Sequence, residues 1–300
     1  MSFHPGELAV QERAGVLDDA RRVGQMLRSR IRPEVHRFWA ERRFVIVAGR
    51  SLAGTGVWVT LLAGQPGFIR VSQDGSQLDV STGPSPEDPF APAVAHENAL
   101  GLLGIDFATR RRNRVNGIVR SVGAGIPLDV TEAFGNCPKY IHAYQPLPDG
   151  PVSGAPPRSS SELDANQRRW IENAGTFFLG TLHPESGADA SHRGGAPGFV
   201  RVTGPRTLVW GDYSGNRLFQ SLGNVAVHPP AGLLFLDVES GSTLQLTGTL
   251  QIDWSGPAAE AIPGAERVLR FSIGRVVERT GAIPLRWARG EPSPFNPPAR

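Results

Sequence analysis

Two short stretches of this 300-residue chain carry clustered groups able to grip an anion. Residues 190–199, ASHRGGAPGF, set Arg193 among the glycines Gly194 and Gly195, next to Ser191 and His192 and shortly before Pro197. Residues 210–225, WGDYSGNRLFQSLGNV, bring Asp212, Asn216, Arg217, Ser221 and Asn224 around a short helix predicted at 216–222. A guanidinium stays charged and meets a phosphate at two points, while Gly-rich turns and helix N-termini offer free N–H groups. Each charge-assisted bond is worth ~1.5–3 kcal/mol. The chemistry implied is recognition of a phosphate-bearing ligand. Any one of these arginines reads more simply as a solvated charge or a helix cap. Both motifs within one segment favour the ligand.

Other chemistries find less support. The seven histidines form no HxH, HExxH or Cys/His spacing, so no metal site is expected. ADASHR holds Asp189, Ser191 and His192, but neighbouring strand residues point to opposite faces and no GxSxG elbow is present. GTG at 54–56 and GAG at 123–125 lack the rest of a dinucleotide fingerprint. RRRNR at 110–114 is a basic cluster, yet net charge is only +3 and no aromatics interleave it. A nucleic-acid partner is therefore not expected.

The elements that position these groups come in duplicate. GQPGFIRV at 64–71 returns as GAPGFVRV at 195–202, 131 positions on. The same ungapped shift sets Trp39 on Trp170, Gly49 on Gly180, GLLGID (101–106) on GLLFLD (232–237) and Gly117 on Gly248. The chain reads as two copies of one domain-sized module. Apolar, β-branched runs such as RFVIVAGR, TFFLGTLH and STLQLTGTLQID end in turn residues and read as strands. Helical periodicity sits at the edges, at 7–31, at 164–174 with Asp164 as N-cap, and at 216–222. The expected fold class is mainly β, two split β-barrels with flanking helices fused as a pseudo-dimer. Expected boundaries are a helical segment at 1–34, barrels at 35–145 and 163–290, a linker at 146–162 and a flexible tail at 291–300.

The copies diverge in complementary ways. Where the second has SHRGG and GNR, the first has TLLAG and PSP; where the first has RRRNR, the second has GSTLQ. One composite site assembled from both copies is the economical expectation. Arg112, Arg114 and Asn116 would reach into it from the first copy.

No apolar run approaches the ~20 residues of a membrane span. The N-terminus lacks a signal-peptide core, and the single cysteine, Cys137, suits a reducing cytoplasm. Cytoplasmic localisation without a membrane partner is expected.

SHRGGAPGFVRV, then TLVWGDYSGNRLFQSLGNV, GLLFLD and a strand ending in TG, resemble the pyridoxamine 5′-phosphate oxidase-like flavoproteins of the FMN-binding split-barrel fold. A predicted flavin-nucleotide-binding branch is the closer match, and GIDFATRRRNRVNG and AFGNCPKYI (133–141) resemble it too. The resemblance spans roughly 35–145 and 163–255. It implies FMN, with FAD as alternative, held through its phosphate by Arg193 and Arg217. Ser191, Asn216, Ser221 and Asn224 would bond the ribityl chain or ring edge, and Gly195 and Pro197 would shape the approach. His192 departs from the pattern, which has proline there, and so bears on the direction of Arg193. Asn136, Cys137 and Lys139 would face the substrate. The implied activity is a flavin-dependent oxidoreductase acting on a small organic substrate, with NAD(P)H as an electron donor. A flavin carrier or sensor, and a haem- or deazaflavin-binding barrel, are the alternatives. Family members form homodimers, so a further dimer is an open expectation.

Overall fold

The computed structural model describes residues 3–52, 56–254 and 262–297. In the first half, β1 (Phe44–Arg50), β2 (Val57–Ala63), β3 (Ile69–Val71), β4 (Gln77–Val80), β5 (Ala99–Asp106), β6 (Arg111–Val119) and β7 (Ile126–Asn136) form one antiparallel sheet. Its order is β2-β1-β5-β6-β7-β4-β3. Two short strands, β8 (Tyr144–Leu147) and β9 (Arg158–Ser160), follow. The second half then builds β10 (Thr176–His183), β11 (Gly187–Gly194), β12 (Val200–Gly204), β13 (Thr207–Asp212), β14 (Pro230–Asp237), β15 (Ser242–Asp253) and β16 (Arg267–Arg279). Their order, β11-β10-β14-β15-β16-β13-β12, repeats the first. The fold is mainly β: two split barrels in one chain.

The duplication reaches down to hydrogen-bond register. Leu103 pairs with Arg114, and at the shifted positions Leu234 pairs with Gln245. A bulge falls between Asn116 and Gly117, and again between Thr247 and Gly248. One strand departs from the ungapped match. Gly49 pairs with Trp58 and Leu100, while their counterparts Asp189 and Ala231 pair with Thr181 rather than Gly180. The turn between β10 and β11 is one residue shorter than its twin, which slips β10 by one.

The repeated octapeptide is a turn that packs its own aromatic ring. Gly67 and Gly198 sit at φ of 92° and 86°, the left-handed region that follows proline in a type II turn. Phe68 N donates to Gln65 O at 3.0 Å, and Phe199 N to Ala196 O at 2.9 Å. Both phenyl rings are buried.

Each sheet wraps its own core. Trp39, Val45, Val47, Phe68, Leu78 and Leu100 fill the first; Phe177, Leu179, Phe199, Trp210, Phe235 and Phe271 fill the second. A third apolar cluster joins them: Phe44, Ile46, Ala48 and Leu103 from one copy meet Phe178, Ala190 and Leu234 from the other. Residues of β1 thus alternate between its own core and the seam, which explains why this strand reads as an unbroken apolar run. The seam is reciprocal, since β5 lies on β11 as β14 lies on β2, and β6 on β11 as β15 on β2. Gly101 and Gly232 mark the two crossings. A Cβ at Gly101 would stand 2.6 Å from Asp189 Cα, and one at Gly232 2.4 Å from Val57 O.

Helices flank the barrels: α1 (Pro5–Arg13), α2 (Leu17–Gly24), α3 (His36–Ala40), α4 (Ala165–Asn173) and α5 (Gln220–Val227). The helix expected over 7–31 is broken, because Gly15 takes a φ of 68°; beyond α2, Arg28 forms a bridge with Ala133. Asp164 caps α4 in a capping box with Gln167. The helix expected at 216–222 instead begins at Gln220, since Arg217 and Phe219 hold φ of 66° and 60°. Residues 144–147 pair with β17 (Arg286–Arg289), and Ala143 N donates to Glu291 O at 2.9 Å, fastening the chain's end beside the first copy. Among the described residues no helix is long and apolar enough to cross a membrane.

Gly101→Ala and Gly232→Ala are expected to destabilise the protein by about 1–3 kcal/mol each, the usual cost of overpacking. Urea unfolding midpoints check this. Gly123→Ala, with no atom near its would-be Cβ, should shift little.

Candidate functional site

Strand alternation puts Arg112, Arg114 and Asn116 on one face of β6, and Asp189, Ser191 and Arg193 on one face of β11. The seam presses these two faces together. At its centre, buried Arg114 Nη1 donates to Asp189 Oδ1 and Oδ2 at 2.9 and 3.1 Å. Ser221 Oγ, from the first turn of α5, donates to Asp189 Oδ2 at 2.6 Å and lies 3.1 Å from Ser191 Oγ. One network therefore ties both copies to α5.

Toward one end the seam is crowded with guanidinium groups. Arg112 Nε donates to Cys137 O at 2.8 Å, and its Nη1 lies 3.3 Å from His192 Nδ1. Burial, then the charges of Arg114 and Arg193, pull Arg112 down to about 9. Burial and Arg112 hold the His192 imidazole well below its ordinary 6.5, so the ring is neutral at pH 7. Its Nδ1 then accepts from Arg112, and Nε2 carries the proton toward Thr176 Oγ1, 3.4 Å away. β11 runs unbroken through His192, so Arg193 faces the same way as Asp189 and Ser191. Burial lowers Arg193, and Asp212 partly offsets this. Asp212 itself is raised by burial, against the pull of Arg193 and Arg267.

Of the two arginines singled out in the sequence, Arg217 belongs to an ion network with Glu266, Arg267 and Asp212, while Arg193 feels the charge of Asp212 without an ion pair to it. Arg267 Nη1 sits 3.6 Å from Asp212 Oδ2, Arg267 also pairs with Glu266, and Arg217 Nη1 reaches Glu266 Oε1 at 3.4 Å. Arg217 occupies the loop before α5 rather than a helix N-terminus, and Asn216 Oδ1 accepts from Leu218 N at 3.2 Å. Several donors here lack acceptors: the Nε atoms of Arg114, Arg193 and Arg267, and Arg267 Nη1, are buried with no hydrogen-bond partner. Around Arg193 stand three further guanidinium groups, Arg112, Arg114 and Arg267, against the carboxylates of Asp189, Asp212 and Glu266. Buried donors in excess of acceptors, with surplus positive charge, fit a ligand rich in anionic oxygens.

The other end of the seam sets the flagged Asn116 and Asn224 beside Glu132, Gln220, Thr181, His4 and Glu7, which the sequence motifs do not flag. Asn116 Nδ2 and Gln220 Nε2 both donate to Glu132 Oε2, at 3.0 and 2.7 Å. Asn224 Nδ2 donates to Thr181 Oγ1 at 3.1 Å, and its Oδ1 meets His4 Nε2 at 3.1 Å. Thus Ser221, Asn224 and Asn116 are engaged with protein groups here. Burial, then Asp189, raises Glu132 to about 7; burial raises Glu7 to about 8, with Glu132 and Asp189 adding to it.

The remaining candidates lie around the guanidinium cluster. Asn136 pairs in register with Arg112, and its Oδ1 is buried without a partner. Lys139 Nζ stands 6.0 Å over the Phe295 ring. A Cβ on Gly194 would lie 2.0 Å from Tyr140 O, so the chain near Tyr140 closes over β11. Gly195 and Pro197 belong to the turn that both copies share.

The pseudo-symmetric position on the seam is built differently. Leu62, Thr243, Gln245 and Trp58 stand where Arg193, Arg112, Arg114 and Asp189 stand. There Gln245 Nε2 donates to Asp88 Oδ1 at 2.9 Å, while Thr60 and Arg279 donate to Oδ2 at 2.6 and 3.0 Å. Thr60 is the counterpart of Ser191. Polar bonding persists, but the guanidinium surplus does not.

No family model and no curated protein matches the chain. Solved structures do. HupZ of Group A Streptococcus is 14% identical, aligning over 38% of this chain and 92% of its own at a TM-score of 0.33. A putative pyridoxamine 5′-phosphate oxidase from Lactobacillus delbrueckii is 17% identical over 39% of this chain and 94% of its own, TM-score 0.33. The FAD-binding protein from Mycobacterium smegmatis is 14% identical over 41% and 98%, TM-score 0.28.

Asp189→Ala would leave the Arg114 charge buried and unpaired, and about 3–5 kcal/mol of stability should go with it in denaturant unfolding. Glu132 and Glu7 bind their protons more tightly folded than unfolded. Their stabilisation is complete below about pH 4.5 and is lost as pH rises toward about 7 and 8 respectively. Glu132→Gln should therefore flatten the decline in stability between pH 5 and pH 7, measured by unfolding across that range.

Proposed function

We propose that the guanidinium-rich end of the seam holds the phosphate of one flavin nucleotide, FMN or FAD, and that the protein is an oxidoreductase acting on a small organic substrate. The observation that carries the proposal is the convergence of Arg112 and Arg114 from one copy with Arg193 and Arg267 from the other, with donor atoms left over. The sequence resemblance supplies the flavin; the charge surplus supports the anion. A bound flavin contributes two-electron redox chemistry at its ring, while the chain binds, orients and tunes it.

Each residue then has a task. Arg193 and Arg112 grip the phosphate, because Arg114 is already committed to Asp189. Asp212, paired with Arg267, partly offsets the charge of Arg193, and Arg217 with Glu266 forms the rim. Neutral His192 adds no charge and holds Arg112 in place. Asn136, Cys137 and Lys139 flank the same end and are assigned to the substrate side. NAD(P)H is the proposed electron donor. Because the twin position lacks the arginines, one cofactor per chain is expected.

The purified protein should show flavin absorption bands at a stoichiometry near one per chain. Arg112→Ala together with Arg193→Ala should weaken flavin binding by roughly a hundredfold to ten-thousandfold, from two charge-assisted contacts. Full flavin occupancy in that variant overturns the phosphate assignment. Bleaching of the bands by NADPH or NADH, with recovery on reoxidation, tests turnover; a flavin that neither coenzyme reduces argues for a carrier.

A further inference from the structure

The far end of the seam is a cavity of ≈ 320 Å³ whose lining includes His4, Glu7, Asn116, Glu132, Asp189 and Gln220. Helix α1 forms one wall by packing against α5. Three carboxyl groups line it, and no lysine or arginine does. Arg114 reaches Asp189 but does not line the cavity.

His4 adds no positive charge. His4 Nδ1 accepts from Gly6 N and Glu7 N at 3.1 and 3.4 Å, so its proton is on Nε2, facing Asn224 Oδ1. The His183 ring, tilted by 35° with its centroid 4.1 Å from that of His4, uses Nδ1 to accept from Glu185 N and Ser186 N. His4 is lowered to about 4 by burial and by His183.

What the cavity lacks is donors. Both amides that serve Glu132 bond to Oε2, and among the described residues Oε1 receives none. Turning their N–H groups to Glu132 leaves Asn116 Oδ1 and Gln220 Oε1 buried without partners, on side chains more than nine-tenths buried. Flipping either amide would set oxygen against the carboxylate. No cluster of histidine, cysteine and carboxylate among the described residues is arranged for a metal ion. A cation that hydrogen-bonds suits these acceptors better than one that needs a coordination sphere.

We propose that this cavity binds the ammonium or amidinium group of a small organic cation, received by Glu132, Asn116 and Gln220 with Glu7 and Asp189 alongside. An ammonium brings three donors and a positive charge that Glu132 and Glu7 do not receive from an ion pair with lysine or arginine, as Asp189 does from Arg114. None of these groups is Arg112 or Arg193, so the site stands apart from the flavin proposal.

Proton release accompanies binding. The charged or titratable groups facing Glu132 are Glu7 on α1, Arg114 on β6 and Asp189 on β11, with His4, the N-cap of α1, lining the same cavity. With Glu132 near 7 and Glu7 near 8, the empty cavity holds protons at neutral pH, and a cation displaces them.

Calorimetric titration of the full chain at pH 7 tests this with n-butylammonium against n-butanol, and benzamidinium against benzamide. The cations should bind at least about tenfold more tightly than their neutral isosteres. Their heats should vary with the ionisation enthalpy of the buffer, as proton release requires. Glu132→Gln should weaken cation binding at least about tenfold and reduce the proton count; Glu7→Gln, if the first variant fails to fold, should lower the proton count alone. Cations binding no better than isosteres, or heats independent of buffer, overturn the proposal. Flavin content, read from the visible spectrum of the same samples, reports separately on the other end of the seam.

Discussion

Everything in this molecule depends on two barrels meeting backbone to backbone. Gly101 lies on Asp189 of β11 and Gly232 on Val57 of β2, each too close for a side chain. At such a distance the polar faces of β6 and β11 cannot be screened by water. They must complement each other or receive a ligand. The buried Arg114–Asp189 pair is the complement, and the surplus guanidiniums beside it are the part left open.

A pseudo-twofold assembly from identical copies would carry two equal seams. Fusion in one chain frees the two from being equal. In one, Arg114 meets Asp189; in the other, Gln245 meets Asp88, itself served by Thr60 and Arg279. Each gives its central buried carboxylate donors from across the seam, but only the first gathers surplus guanidinium groups. That asymmetry turns a structural repeat into a single specialised seam. The N-terminal segment reinforces it, since α1 docks on α5 and closes that seam with His4 and Glu7.

Much of the architecture was legible because it is local or repeated. The Gly-x-Pro-Gly-Phe turn, the alternation along β15 and the Asp164 cap each depend on residues within a few positions of one another. The duplication needed only spacing. Where local signals failed, a backbone detail intervened. Left-handed φ at Arg217 and Phe219 delays α5, left-handed φ at Gly15 breaks the N-terminal helix, and a shortened turn slips β10. The site was half legible. Arg112, Arg114, Arg193 and Ser191 announce themselves by type and by their absence from the other copy. Asp189 stood in view within ADASHR, but its partner is 75 residues away.

By itself the sequence determined the two copies, their strand content, their turns and which copy kept which arginines, since periodicity and repetition are properties of the chain. Only tertiary structure decided that Arg217 answers to Glu266, that Glu132 takes its donors from Asn116 and Gln220, and that His4 reaches Asn224 across 220 positions. Such contacts come from how sheets cross and helices dock. The free energy of a carboxyl group depends on what surrounds it after folding, and no spacing along a chain encodes that.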